Sequence, residues 1–227
     1  MKKKNMGAKF AVVFTLLIFV GVALIVVLNQ KNEPVTETVA TEPPSIEGQP
    51  LYGAPDAPVT IVEFGDFKCP SCKAWGETIF PKLVEDYVDR GDVNFAYVNV
   101  PFHGQESILA ALAAESVYKQ DPSIYWDFHK ALFSSQPETA KHDELWVTTE
   151  KLLELTSTMP SISPEKLTQD LEQELTMPQV ETDTALYKEN GVGVTPTIII
   201  GNKKISDPFD YEEIQKILEE KLSAANE

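Results

Sequence analysis

The chain has 227 residues, of which 35 are acidic and 19 basic, so its formal net charge at pH 7 is −16. A surface this acidic repels nucleic acid and anionic lipid headgroups, and the composition therefore excludes nucleic-acid binding as the function. With 43% hydrophobic residues, the chain is long and apolar enough to bury one sizeable core.

The N-terminal residues predict a membrane anchor. Four lysines within residues 1–9 precede an uncharged apolar stretch at residues 10–28, whose 19 residues are enough to span a bilayer. A cleavable signal peptide has a shorter apolar core and a small-residue exit site, which this stretch lacks. The lysines place residues 1–9 in the cytoplasm, so we expect a single-pass protein of the cell membrane whose remainder is extracytoplasmic.

The next segment predicts a tether. Residues 29–49 are rich in Pro, Thr, Glu and Asn and contain little to bury, which favours a flexible linker. Residues 50–227 are then one domain, with a first strand predicted at 59–64. Because side chains alternate across a strand, Glu63 is expected on a face with apolar, β-branched neighbours.

The only two cysteines of the chain, Cys69 and Cys72, follow this strand as Cys-Pro-Ser-Cys, where the β-branched run changes to helical spacing. Two cysteines three residues apart at such a junction are typical of the redox motif of a thioredoxin-like βαβ unit. An inert structural disulfide is the alternative, but so short a loop stabilises little. Pro81 predicts a kink in the motif helix, and a parallel strand at 93–100 completes the unit.

Residues from about 104 to 178 are predicted to form an inserted helical subdomain. One helix is expected at 146–155, and another begins at the cap Ser163 and continues through leucines spaced four apart to Leu175.

After the insertion, the pattern predicts a helix at 179–189, a strand led by Pro196, a short strand at 204–205 and a helix opened by a capping box at Asp210. This order of elements predicts an α/β, thioredoxin-like fold with a helical insertion, preceded by a transmembrane helix.

Three stretches of the sequence resemble the DsbA-like disulfide oxidoreductases, and in particular their membrane-anchored, Gram-positive BdbD-type branch. These stretches are V-E-F-G-D-F-K-C-P-S-C, W-D-F-H and G-V-T-P-T. The resemblance implies an enzyme that donates its disulfide to reduced exported proteins through a mixed disulfide. It also implies reoxidation by a quinone-linked membrane thiol oxidase, and redox chemistry that requires no cofactor.

The two cysteines have different predicted roles. Cys69 lies at the first turn of the helix, where free N–H groups and the helix dipole favour an anion, and Lys68 and Lys73 are expected to add positive charge. Cys69 is therefore predicted to be the nucleophile, and Cys72, one turn deeper, the resolving thiol. The Pro-Ser dipeptide between them lacks the histidine of the best-known strong oxidant.

The resemblance implies roles for residues outside the motif. Glu63 matches the family's buried acid, which takes and returns the proton of Cys72. Pro196 matches a cis-proline that leaves the backbone of Thr195 free to pair with an extended substrate. Some members of the branch contain a structural calcium site, for which the matching oxygen ligands are Gln49, Glu115 and Asp183.

Two alternative functions remain open from the sequence. A reductase or disulfide isomerase of the same fold would use the same cysteines with the equilibrium reversed. A non-catalytic binding or metal module would use them structurally, but the spacing of His103, His129 and His142 fits no zinc pattern.

Overall fold

The computed structural model describes residues 37–38, 42–138 and 144–225. The predicted anchor at residues 10–28 and His142 lie outside these residues. Within the described ranges, no helix is both long and apolar enough to cross a membrane.

A mixed sheet forms the centre of the domain. Its strands are β1 (Glu37–Thr38), β2 (Leu51–Tyr52), β3 (Val59–Gly65), β4 (Val93–Asn99), β5 (Thr197–Ile200) and β6 (Lys203–Lys204). They lie in the order β1-β6-β5-β3-β4-β2. Strand β3 pairs in parallel with β4 and antiparallel with β5, and every residue of β4 is buried. The sheet is thus covered on both faces at its centre, which explains why these strands consist of nearly continuous apolar runs.

Eight α-helices surround the sheet in the described part of the chain. They are α1 (Pro70–Thr78), α2 (Phe80–Leu83), α3 (Gln105–Gln120), α4 (Tyr125–Ser134), α5 (Thr149–Thr156), α6 (Pro164–Glu172), α7 (Met177–Glu189) and α8 (Tyr211–Ala225). Helices α3 to α6 form the predicted insertion, so the thioredoxin-like fold with a helical insertion is confirmed.

The motif helix is interrupted near Pro81, as the sequence predicts. Helix α1 ends at Thr78, α2 follows after Ile79, and a π-helical turn continues over Val84–Val88. A proline inside a helix has no N–H for the helical hydrogen bond and its ring crowds the preceding turn. The break therefore separates the first turns, which position the cysteines, from the rest of the helix.

Two predicted helix bounds in the insertion are wrong. The helix expected at 146–155 begins at Thr149 because Thr148 caps it, its side chain accepting a hydrogen bond from the Lys151 N–H at 3.2 Å. The leucine repeat ends early because α6 ends at Glu172 and Glu174 adopts a left-handed φ of 51°. Leu175 consequently lies outside the helix and is 42% exposed.

Part of the segment predicted as a linker belongs to the folded domain. Strand β1 pairs with β6, with Glu37 opposite Lys204. Gln49 is also buried, and its side-chain amide reaches Asp183 in α7.

The two faces of the sheet bury separate apolar clusters. The larger cluster includes Ile61, Phe95 and Tyr97 from the sheet and Trp75 from α1, whose ring stacks on that of Phe95 at 5.7 Å. Because side chains alternate along β3, Glu63 points to the same face as Ile61. The larger core therefore contains a carboxyl group directly beneath the motif helix.

Candidate active site

The motif is held at the junction of β3 and α1. Cys69 is the N-cap residue of α1, and its backbone N–H donates to the carbonyl oxygen of Asp66 at 2.9 Å. The Cys69 Sγ atom lies 3.3 Å from the carbonyl oxygen of Thr195, to which it donates a hydrogen bond when it is protonated. Both Cys69 and Cys72 are free thiols, and both are buried.

The two thiols differ strongly in acidity. The pKa of Cys69 is lowered to about 5, chiefly by a hydrogen bond from the Cys72 side chain and further by the Thr195 side chain and the N–H groups of Cys72 and Ser71, against an opposing effect of burial. Burial raises the pKa of Cys72 well above its ordinary value, and the hydrogen bond with the Cys69 side chain and then the negative charges of Glu63 and Cys69 raise it further. At neutral pH, Cys69 is the thiolate and Cys72 the thiol.

Glu63 is buried below the cysteines, with 2% of its surface exposed. Its pKa is raised well above the ordinary value by burial and, to a smaller extent, by the negative charge of Cys69. Its Oε1 atom has no hydrogen-bond partner among the described residues. Because of its raised pKa, the carboxyl group holds a proton at higher pH than an exposed glutamate does, so it can give a proton to Cys72 and take it back.

Thr195 and Pro196 form the opposite wall of the site. The peptide bond between them is cis, and the Thr195 carbonyl oxygen faces Cys69 as described above. Val194, directly before them, is 70% exposed, so the backbone beside the reactive sulfur is open to an extended partner.

Both lysines that are predicted to add positive charge near Cys69 have partners in the inserted subdomain. The Nζ of Lys68 lies 2.9 Å from Glu106 Oε1 and donates to the Glu144 carbonyl oxygen at 3.0 Å. The Nζ of Lys73 donates to the carbonyl oxygen of Gln136 at 2.9 Å. Both lysines therefore fasten the inserted subdomain to the motif, and the charge of Lys68 is paired in a buried ion pair.

Asp66 is a structural residue of the site that sequence reasoning missed. Its Oδ2 atom accepts hydrogen bonds from the N–H of Phe102, the N–H of His103 and the hydroxyl of Ser107, and lies 2.6 Å from His103 Nδ1. Its own N–H donates to Cys72 Sγ at 3.5 Å. The sequence signal for this role is an acidic residue between the aromatic side chains of the F-G-D-F run.

The three predicted calcium ligands are brought together away from the cysteines. The Gln49 Nε2 donates to Asp183 Oδ1 at 2.7 Å, and the Asn99 side-chain amide joins Glu115 Oε1 and Asp183 Oδ2 at 2.9 and 2.8 Å. Burial raises the pKa of Glu115 to about 8, with a further contribution from Asp183, and burial raises the pKa of Asp183 to about 6. Sequence reasoning missed Asn99, which ends β4 between the two carboxylates.

A thioredoxin-like fold whose C-x-x-C motif opens a helix, with an acidic outer thiol, defines a thiol-disulfide oxidoreductase. A family profile described as Thioredoxin matches residues 45–220. Disulfide bond formation protein D of Bacillus subtilis is 47% identical over 194 residues, which cover 86% of each chain. The probable disulfide bond formation protein D of Bacillus anthracis is 33% identical over 225 residues, covering 98% of this chain and 99% of that protein.

Among solved structures, the crystal structure of oxidised BdbD from Bacillus subtilis superposes with a TM-score of 0.77 at 48% identity, covering 80% of this chain and 96% of that chain. The chain belongs to the thioredoxin family and, within it, to the DsbA-like disulfide bond formation proteins of the BdbD type. It is a thiol-disulfide oxidoreductase, and the redox chemistry of this class needs no cofactor because the two cysteines exchange the electrons themselves.

Proposed function

We propose that the protein is a membrane-anchored, extracytoplasmic oxidase that donates its Cys69–Cys72 disulfide to reduced exported proteins. The observation that carries this proposal is the pKa of Cys69, which is lowered to about 5. A stabilised thiolate favours the reduced form of the motif, so the oxidised form gives up its disulfide readily. In a reductase, the oxidised form of the motif would instead be the favoured one.

Disulfide donation proceeds in two exchanges. A substrate thiolate attacks Cys69 Sγ, the bond between the cysteines breaks, and Cys72 leaves as a thiolate that takes a proton from Glu63. A second substrate thiolate then attacks the substrate sulfur of the mixed disulfide, and Cys69 leaves as its stable thiolate. The substrate gains one disulfide, and the two electrons remain on the enzyme as a reduced cysteine pair.

Reoxidation reverses the direction of electron flow. The Cys69 thiolate attacks a disulfide of the oxidising partner, and Glu63 takes the proton of Cys72, which then closes onto Cys69 and releases the partner as a thiolate. The partner implied by the family resemblance is a membrane thiol oxidase linked to quinone, which accepts the electrons. An anchor at residues 10–28 would hold the domain beside such a partner.

We assign substrate binding to the backbone of Thr195 with Pro196. The exposure of Val194 and the position of the Thr195 carbonyl oxygen beside Cys69 support pairing with an extended segment that contains the attacking cysteine. Since the contact is to backbone, it suits many substrates of different sequence.

We further propose that Gln49, Glu115 and Asp183 bind a structural calcium ion. Their fit is supported by the unpartnered, buried Oε1 of Gln49 and by two neighbouring buried carboxyl groups, both joined to the Asn99 side chain, whose pKa values are raised chiefly by burial. Carboxylate and amide oxygens are the ligands that calcium prefers. A bound ion would join the segment before β2 to α3 and α7.

The function is tested by trapping the mixed disulfide. The full chain with Cys72→Ala is incubated with a reduced, unfolded secreted protein under mild oxidation, and adducts are identified by mass after acid quenching. We expect a covalent adduct at Cys69, because Cys72 is no longer present to release it. The matched Cys69→Ala variant should form none, and equal adducts in both variants would contradict the assignment.

A further inference from the structure

Among the buried polar atoms of the larger core that have no hydrogen-bond partner within the described residues, three belong to side chains grouped around Tyr97. They are Glu63 Oε1, Tyr97 Oη and His129 Nε2. Glu63 is 2% exposed and Tyr97 is fully buried. Leaving buried polar atoms unpaired is costly, so their common location requires an explanation.

The tyrosine hydroxyl is brought towards the motif by the absence of a side chain at Gly65. Tyr97 lies opposite Glu63 in the parallel pairing of β3 and β4, so the two side chains share a face. A Cβ atom at Gly65, two residues beyond Glu63, would lie only 2.8 Å from the Tyr97 hydroxyl oxygen. The next residue, Asp66, donates its N–H to Cys72 Sγ at 3.5 Å. The Tyr97 hydroxyl therefore lies beside the last residue of β3, close to the turn that leads into the motif.

His129 completes the group from α4. Its ring centroid lies 4.6 Å from that of Tyr97, with the rings nearly perpendicular at 81°. Burial lowers the pKa of His129 to about 3, so the imidazole is neutral. A neutral imidazole nitrogen donates or accepts one hydrogen bond, according to its tautomer.

The chemistry beside these atoms needs a mobile proton. Glu63 and Cys72 both have raised pKa values, and the proposed cycle moves one proton back and forth between them. The pKa of Tyr97 is raised first by burial and then by the charges of Cys72 and Glu63, and the pairing of Tyr97 with Glu63 across the two strands places the side chains on one face. A buried water molecule typically makes about three hydrogen bonds to such otherwise unsatisfied groups.

We propose that Tyr97 and His129 are positioning residues that, together with Glu63, bind one buried water molecule through which the proton passes between Glu63 and Cys72. The thiol of Cys72 gives a proton to the water while the water gives another to the Glu63 carboxylate, so the water is regenerated and no electrons move in this step. The inference rests on the proposed function, because it concerns the resolving step of that cycle.

Several ionisable groups share the surroundings of Glu63. Cys69 and Cys72 face it from α1, Tyr97 from β4, and Tyr125 and His129 lie in α4. The neighbouring residue on β5 is the apolar Ile198. The pH profile of ring closure by Cys72 must therefore be measured separately from the pH profile of the attack by Cys69.

The test follows the reduced full chain as it reacts with oxidised glutathione. Attack by Cys69 forms a glutathione mixed disulfide, and closure by Cys72 then releases reduced glutathione; acid quenching and mass spectrometry resolve the two steps. We expect Tyr97→Phe to leave the first step unchanged and to slow closure about tenfold or more at pH 7. The pH profile of closure should also move to higher pH, because Cys72 must then lose its proton without the relay.

Tyr125→Phe is the matched control. Tyr125 is also fully buried, and its hydroxyl likewise has no partner among the described residues. Burial raises the pKa of Tyr125 most, followed by the charges of Glu115 and Asp183 and only then that of Glu63, whereas for Tyr97 the charges of Cys72 and Glu63 come directly after burial. If Tyr97→Phe and Tyr125→Phe give the same closure rate and pH profile, the proposal is wrong.

A second variant keeps the test decisive if Tyr97→Phe does not fold. His129→Leu removes the third water partner from an apolar surrounding that includes Phe67 and Phe133, and it should slow closure in the same way, whereas His129→Gln should retain most of the rate. An unchanged closure rate in His129→Leu would overturn the proposal. Failure of the wild-type chain to close at all would instead contradict the proposed function.

Discussion

The Nδ1 atom of His103 lies 2.6 Å from Oδ2 of the buried Asp66, and this pair ties the loop after β4 to the residue that begins the motif turn. The hydrogen bond to Asp66 is the main reason that the pKa of His103 is raised, with burial opposing it. The loop and the motif are thus joined by a carboxylate that also accepts from the Ser107 hydroxyl at 3.0 Å.

We predict that Asp66→Asn lowers the free energy of unfolding by about 2 kcal/mol, because several hydrogen bonds to a charged acceptor are weakened together. The stabilisation from His103 is fully present below the ordinary histidine pKa and is lost as pH rises through the raised value in the folded protein. Denaturant unfolding between pH 5 and 9 measures both effects. His103→Gln should remove only the contribution of His103 to the pH dependence, and a pH dependence identical to that of the wild type would contradict this assignment.

We predict that the rate of Cys69 alkylation by iodoacetamide in the reduced protein is half-maximal near pH 5, the pKa that its surroundings impose. Cys72→Ala should move this midpoint upwards because it removes the largest stabilising hydrogen bond. Thr195→Val should produce a smaller upward shift. A midpoint near 8.5, the ordinary thiol value, would show that the thiolate is not stabilised.

The same pKa predicts a pH-dependent difference in stability between the redox states. A lowered pKa stabilises the folded reduced protein above the ordinary thiol pKa, and this contribution is lost as pH falls through about 5. The oxidised protein has no such thiol. We therefore expect the stability of the reduced protein, relative to the oxidised one, to decrease as pH is lowered from 9 to 5 in parallel thermal melts.

Glu63→Gln should separate stability from catalysis. Because burial raises the pKa of Glu63, its stabilising contribution is present below the ordinary carboxyl pKa and is lost as pH rises through the folded value. The glutamine variant should therefore gain stability over the wild type with increasing pH, while closure by Cys72 slows by about tenfold to a hundredfold. A variant that is less stable at every pH and closes normally would contradict a role in proton transfer.

Lys68→Met tests the buried ion pair with Glu106. The two side chains are 3% and 13% exposed, and breaking such a pair leaves one charge without its partner, so we expect a loss of about 3 kcal/mol. The alkylation midpoint of Cys69 should stay near that of the wild type, because the charge of Lys68 is already paired. Lys73→Met, which removes a hydrogen bond to a carbonyl oxygen and a long ion pair with the exposed Glu77 at 4.0 Å, should cost less.

The reactive cysteines and the fold were predictable because local signals determine them. The C-x-x-C motif stands at a change from strand to helical spacing, and alternation along β3 puts Glu63 on the core face. The partners of Lys68 and Asp66 were not predictable, since Glu106 lies 38 residues from Lys68 and His103 lies 37 residues from Asp66 in the sequence. Such contacts depend on how the insertion packs on the motif, which no local pattern specifies.

Calcium should stabilise the protein in a pH-dependent way. In the metal-free protein, the raised pKa values of Asp183 and Glu115 mean that stability is lost as pH rises through about 6 and about 8. Calcium binds the deprotonated carboxylates, so the rise in melting temperature on adding calcium after chelation should be larger at pH 8 than at pH 6. Glu115→Gln should abolish most of this rise, and an equal response in the variant would exclude Glu115 as a ligand.

The reduction potential of the Cys69–Cys72 pair tests the proposed direction of electron flow most directly. It is measured by equilibrating the full chain with glutathione redox buffers and quantifying the two redox forms by alkylation and mass. A thiolate stabilised to the extent found at Cys69 predicts a potential more positive than about −180 mV, the value of protein disulfide isomerase. A value near that of thioredoxin, about −270 mV, would contradict disulfide donation and identify the protein as a reductase.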